Sequence, residues 1–206
     1  MRKVLGILLL AVGFFSCENE STTSDPGIQA MANNEEFTTG VKFETWRPQY
    51  NRASVNQDNI LSLVAETDST RFVLRVPYTL FSSDSKEKLY LGDVGKLGKQ
   101  EGIEGLAGYA QYYLLDNNDR KVLGKYVTQD SNKEITDVGI VVFDSEEKQV
   151  PGTISGTFYA NLKKIEMSDE DKSKLTPAQK IRVEKLRDKK SFHDGVFFRI
   201  KLEAAK

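Results

Sequence analysis

The one histidine, His193, stands beside Asp194 in Phe192-His-Asp-Gly-Val-Phe197. A histidine base hydrogen-bonded to a hydroxyl would suit acyl transfer, yet no serine stands on a strand–turn–helix elbow. The nearest string, Gly152-Thr-Ile-Ser155-Gly156, misses the G-x-S-x-G spacing by one residue and lies in an alternating, strand-like stretch. His193 is therefore expected at a turn or on the surface, and no catalytic residue is assigned. Glycines recur from Gly92 to Gly108, but a phosphate loop fails at both ends. Asp93 occupies the place of its first glycine, and Gln100 follows Gly98-Lys99 where Ser or Thr is needed. A surface loop is expected there. Asp116, Asn118 and Asp119 offer oxygen ligands, but Arg120 breaks the calcium-loop pattern, and Asp116–Asp119 reads as a hairpin turn. Zinc would want several Cys or His ligands, so neither a metal nor any other cofactor is expected. With 30 acidic residues some carboxylate pair is inevitable, which says nothing about glycoside hydrolysis without geometry.

One residue does carry a clear chemical expectation. Arg2 and Lys3 precede an apolar run from Val4 to Phe15, followed by Ser16 and Cys17, the single cysteine. The run is too short to span a bilayer and reads as the core of a secretory signal. A lone cysteine at its boundary resembles a bacterial lipobox, although Phe14 replaces the usual leucine three positions before it. Cys17 is the expected site of lipid attachment, with palmitate among the acyl chains. Acylation also removes the liability of a free thiol in an oxidising compartment. The chain is then anchored to a membrane rather than spanning it. Glu18 and Glu20 partly resemble lipoprotein surface-export signals. The outer membrane is the expected location, with the cell surface favoured over the periplasmic face.

Removal of residues 1–16 takes Arg2 and Lys3 with it, so 29 basic residues become 27 against 30 acidic, a net charge of −3. Nothing in that balance grips a phosphate backbone, and nucleic acid is not an expected partner. Aromatic residues are the remaining binding candidates. Trp46, Tyr50, Tyr78, Tyr109, Tyr112, Tyr113 and Tyr126 could stack against sugar rings, but strand aromatics more often fill cores or pair across strands.

The elements that must position these residues read as all-β. Residues 17–36 are rich in Glu, Ser, Thr and Asn and read as a lipidated flexible tether, leaving 37–206 as the folded domain. Alternating strands are expected at Val41–Trp46, Ile60–Glu66, Arg71–Pro77, Tyr109–Leu115, Val122–Thr128, Val138–Asp144, Gly152–Leu162 and Phe192–Leu202. Their number and spacing favour an antiparallel β-sandwich or barrel, with the long C-terminal strands central and Pro77 ending its strand. A helical insertion at about 167–190 breaks the pattern. Thr176-Pro177-Ala-Gln179 supplies an N-cap, a first-turn proline and a capping-box glutamine, so a solvated helix is expected from Pro177 to about Lys189. Asp194-Gly195 suits a tight turn before the final strand.

Several short strings carry a family resemblance: Trp46, Ile60-Leu-Ser-Leu-Val-Ala65, Tyr90-Leu-Gly92, Tyr126-Val-Thr128, Val138-Gly-Ile140, Val150-Pro-Gly-Thr-Ile-Ser-Gly-Thr-Phe-Tyr159 and Phe192-His-Asp-Gly-Val-Phe197. Together they resemble a family of uncharacterised small lipoproteins of Bacteroidota that carry a domain of unknown function. The helical insertion departs from that family's short loop. The resemblance implies an antiparallel β-sandwich and supports the lipid anchor, but brings no catalytic or ligand-binding residue. Sequence thus leads to a lipid-anchored, non-catalytic binding or assembly module whose partner is a glycan or an envelope protein. A structural envelope component and a glycan-active hydrolase are the alternatives. An aromatic patch or a concave groove would favour binding.

Overall fold

The computed structural model describes residues 26–33, 41–46, 50–78, 88–93, 98–99, 106–129, 138–144 and 149–203. The signal segment, Cys17 and Glu18–Glu20 lie outside them, as do 94–97 and 100–105 of the glycine-rich stretch.

Alternation builds most of the strands. β1 (Gly27–Asn33), β2 (Val41–Trp46), β3 (Asn51–Val55), β4 (Ile60–Glu66) and β5 (Thr70–Pro77) come first, then β6 (Lys88–Tyr90), β7 (Gly98–Lys99) and β8 (Leu106–Ala107). β9 (Tyr109–Leu115), β10 (Val122–Thr128), β11 (Gly139–Phe143) and β12 (Thr153–Ile165) follow. Two helices, α1 (Asp169–Ser173) and α2 (Pro177–Lys185), precede the last strand, β13 (Lys189–Glu203). In β4, Leu61, Leu63 and Ala65 point inward while Ser62 and Val64 face outward, the two-residue period of a half-buried strand. Pro77 ends β5 as expected.

Four expectations need correction. Residues 27–33 are not tether: Ile28, Ala30 and Ala32 are fully buried in β1, which pairs with both β2 and β13. The insertion holds two helices, and α2 stops at Lys185 because Leu186 turns extended (φ −66°, ψ 134°). Part of the glycine-rich stretch is a hairpin, with Gly98–Lys99 paired to Leu106–Ala107. Asp194-Gly195 is not a turn but a bulge inside β13. Two residues of β12, from Phe158 to Ala160, span three steps of β13, from Gly195 back to Phe192. Asp194 absorbs the extra residue with φ 51°, and Arg199 does the same at a second shift with φ 49°.

Those bulges let one strand serve two layers. Eleven strands form a continuous sheet in the order β2-β1-β13-β3-β4-β5-β9-β10-β12-β11-β6, and an additional β12–β13 pairing closes it. One layer is β2-β1-β13-β12-β11-β6 and the other β3-β4-β5-β9-β10. They join where β13 turns from β1 to a short parallel contact with β3 and where β12 passes from β11 to β10. β12 and β13 are central, as their length implied.

The space between the layers is filled by rings. Phe72 of β5 lies 5.1 Å from Phe158, 5.2 Å from Phe192 and 5.8 Å from Trp46 across the core. Tyr112 stands edge-on to Phe192 at 5.4 Å. Burying each such side chain contributes about 1.5–3 kcal/mol. Lys190 is fully buried among them. Its ammonium donates to the Asn33 carbonyl at 2.8 Å, lies 3.4 Å from a Glu44 carboxylate oxygen, and sits 4.8 Å from the Tyr112 ring centre.

Candidate binding groove

The sandwich closes at one end with the helical insertion. Ser168 caps α1 by accepting the Asp171 amide at 3.1 Å. Thr176 caps α2 through a reciprocal box: its hydroxyl accepts the Gln179 amide, and the Gln179 side chain accepts the Thr176 amide at 3.0 Å. Leu175 and Leu186, one on each side of α2, enter the core. Of the α2 apolar stripe Ile181, Val183 and Leu186, the last two pack on the core while Ile181 stays 52% exposed, so the helix docks through its C-terminal half.

Polar contacts bind this cap to the β9–β10 turn. The Gln179 amide donates to both Asp119 carboxylate oxygens at 3.4 Å, Arg182 lies 3.8 Å from Asp116, and the Lys121 ammonium donates to the Lys174 carbonyl at 3.1 Å. Backbone donors of Asn118 and Lys121, reinforced by Gln179, hold Asp116 and Asp119 below their ordinary carboxylate range. The Ser168 hydroxyl does the same for Asp171, while Glu170 raises Lys174. These carboxylates are committed to internal donors, and among the described residues no cluster of three His, Cys, Asp or Glu side chains could hold a metal ion.

Between the cap and the edges of β10 and β12 lies a groove of about 820 Å³. Its apolar surface includes Val122, 41% exposed, and Ile165, 37% exposed, together with Met167, Leu175 and Val183. Lys121, Lys125, Lys164, Lys172 and Lys174 stand around it, and Glu166, Asp171 and Glu184 offset them in part. A volume of this size, apolar inside and polar at the rim, suits a ligand or an extended segment of a partner. The groove draws on strands distant in sequence, and no motif pointed to it.

The other candidates disperse. His193 is exposed at the β13 bulge, with its Nδ1 2.9 Å from Asp194. Ser155 is buried, and its hydroxyl accepts the Arg199 amide at 2.9 Å. Four residues of β12–β13 ladder, about 13 Å, separate their levels, so the structure does not bring them together. Asp116–Asp119 forms the β9–β10 turn, as expected. The aromatic platform dissolves: Trp46, Tyr109, Tyr112 and Tyr126 are buried, and Tyr50 is the member left well exposed. Among the described residues no helix is long and apolar enough to cross a membrane.

No curated protein and no solved structure matches the chain. A family model does, over residues 24–201, and the chain belongs to that family, described as Domain of unknown function (DUF6252). Its match begins just before β1, in keeping with a folded domain that includes this strand.

Proposed function

We propose that the protein is a lipid-anchored, non-catalytic binding module of the bacterial cell envelope, of the kind found in Bacteroidota lipoproteins. It is acylated at Cys17 on the outer membrane, and the groove beside α1 and α2 is its binding face. The groove is the observation that carries the reading, because it exposes Val122 and Ile165 inside a concavity.

Strand register adds an orientation. Gly27, where the anchoring segment enters the fold, lies opposite Phe198, whereas the helical cap joins β13 at Lys189. Nine residues of strand separate those levels, about 30 Å at the usual rise. A chain tethered through Cys17 therefore enters the fold at the end opposite the groove, which leaves the groove open to a soluble or envelope-bound partner.

A photo-crosslinking residue placed at Val122 in intact cells tests the reading, with Val150, 39% exposed elsewhere, as the comparison site. A discrete adduct from Val122 and none from Val150 is expected. The same adducts from both positions, or none from either, would remove the groove as a binding face and leave a structural envelope component as the better description.

A further inference from the structure

The outer face of the β3-β4-β5-β9-β10 layer carries a different signal. Phe72, Leu74, Tyr112 and Tyr126 point into the core, so Arg71, Arg75, Tyr113 and Lys125 point out. Register aligns Arg71 with Tyr113 and Tyr113 with Lys125, and brings Arg75 opposite Tyr109. Arg52 joins them from β3, and Arg120 from the β9–β10 turn. Glu66 and Asp68 are the carboxylates that face these cations.

Glu66 alone takes three guanidinium groups: Arg71 at 2.8 Å, Arg120, and Arg52 at 3.8 Å. These charges, the Arg71 hydrogen bond first, hold its carboxyl below the ordinary range. Four guanidinium groups against two carboxylates leave a net +2 on this face, with Lys125 at its border beside the groove's Glu166 and Glu184, while the chain without residues 1–16 carries −3. Arg52, Arg71 and Arg120 remain 63%, 44% and 43% exposed.

We propose that this face binds an anionic polysaccharide, one bearing carboxylate or sulfate groups along an extended chain. Spacing argues for a polymer over a single small anion. Arg71 and Lys125 are two strand spacings apart, about 10 Å, and Arg71 and Arg75 are four residues apart along β5, about 13 Å. Arginine forks recognise carboxylate and sulfate in two-point fashion. Between the charges lie groups that match sugar hydroxyls: the Gln111 amide, the Tyr113 hydroxyl bonded to it at 3.2 Å, and Ser54 and Ser62 in register with Arg75. The Lys125 ammonium lies 5.8 Å from the Tyr113 ring centre, which keeps that ring at the surface of the layer.

The test uses the full-length protein and its Arg52→Gln/Arg75→Gln variant, two positions that do not line the groove. Lys180→Gln/Lys201→Gln serves as a control of equal charge on other faces. Binding of heparin and polygalacturonate is measured at two salt concentrations, beside neutral dextran, oligothymidylate and polyglutamate. The wild type and control are expected to bind at least one acidic polysaccharide in a salt-sensitive manner, and the Arg variant about tenfold more weakly. Absence of binding to both acidic polysaccharides overturns the proposal. So does equal weakening in the charge control, wild-type binding by the Arg variant, or equally tight binding of dextran, oligothymidylate or polyglutamate. The groove crosslinking result moves independently of each of these outcomes.

Discussion

Replacing Lys190 with methionine removes the only fully buried ammonium among the described residues while roughly keeping its volume. With it go the 2.8 Å bond to the Asn33 carbonyl, the 3.4 Å pair with Glu44, and the contacts with the Tyr112 and Phe192 rings. The Glu44 side chain, 11% exposed, then stays in the core without that cation. Breaking a buried pair from one side costs about 3–5 kcal/mol, chiefly because the surviving charge is poorly solvated. Domains of this size are stable by about 5–15 kcal/mol, so Lys190→Met should remove a large fraction of that stability. The expected fall in melting temperature is roughly 6–20 °C, at about 2–4 °C per kcal/mol. Glu44→Gln/Lys190→Met removes both charges and should recover a substantial part of the loss. Urea unfolding of the four proteins completes a double-mutant cycle. A cost below about 1 kcal/mol for Lys190→Met, or a double variant less stable than both single variants, would refute the reasoning.

Further outcomes follow from packing and from acid titration. Gly156→Ala should cost about 1–3 kcal/mol in chemical denaturation, because an added Cβ would meet the Val142 carbonyl of β11 and the Phe197 ring. Thr176→Ala should cost about 1 kcal/mol and loosen the start of α2, read by faster amide exchange at Gln179. Asp116, Asp119 and Asp171 have lowered folded pKa values, so their contribution is present above the ordinary aspartate value of 3.8 and is lost as pH falls toward the lowered values. Asp119→Asn should therefore flatten the acid limb of a stability–pH curve. An unchanged acid limb would contradict the role given to the turn–cap contacts.

Regular strands with large apolar residues were legible at the level of single residues. Ile60–Glu66, Tyr109–Leu115 and Val122–Thr128 match their alternation end to end. β1 was not, because its inward positions after Ile28 are Ala30 and Ala32, whose small apolar surface looks the same in a flexible tether. The start of α2 was legible from Thr176-Pro177-Ala-Gln179, since the cap is local chemistry. Its end was not: Leu186 continues the apolar stripe, but tertiary packing pulls it into the sandwich. Asp194-Gly195 looks like a turn locally, and only pairing on both edges of β13 makes it a bulge. Lys190 follows another lysine, and its partner Glu44 lies 146 residues away, so nothing nearby marks it as buried. The groove depends likewise on which strands become neighbours. Val122 and Ile165 meet at its surface because β10 pairs with β12.

The central claim, a folded module held on the outer membrane through Cys17, is tested most directly by metabolic labelling with an alkyne-bearing palmitate, membrane fractionation and protease treatment of intact cells. The wild type should take up label and sediment with the outer membrane, and protease should reach its domain from outside. Cys17→Ala should remain unlabelled and leave that fraction. Label-free wild type, or a Cys17→Ala protein still held on the outer membrane, would contradict the account.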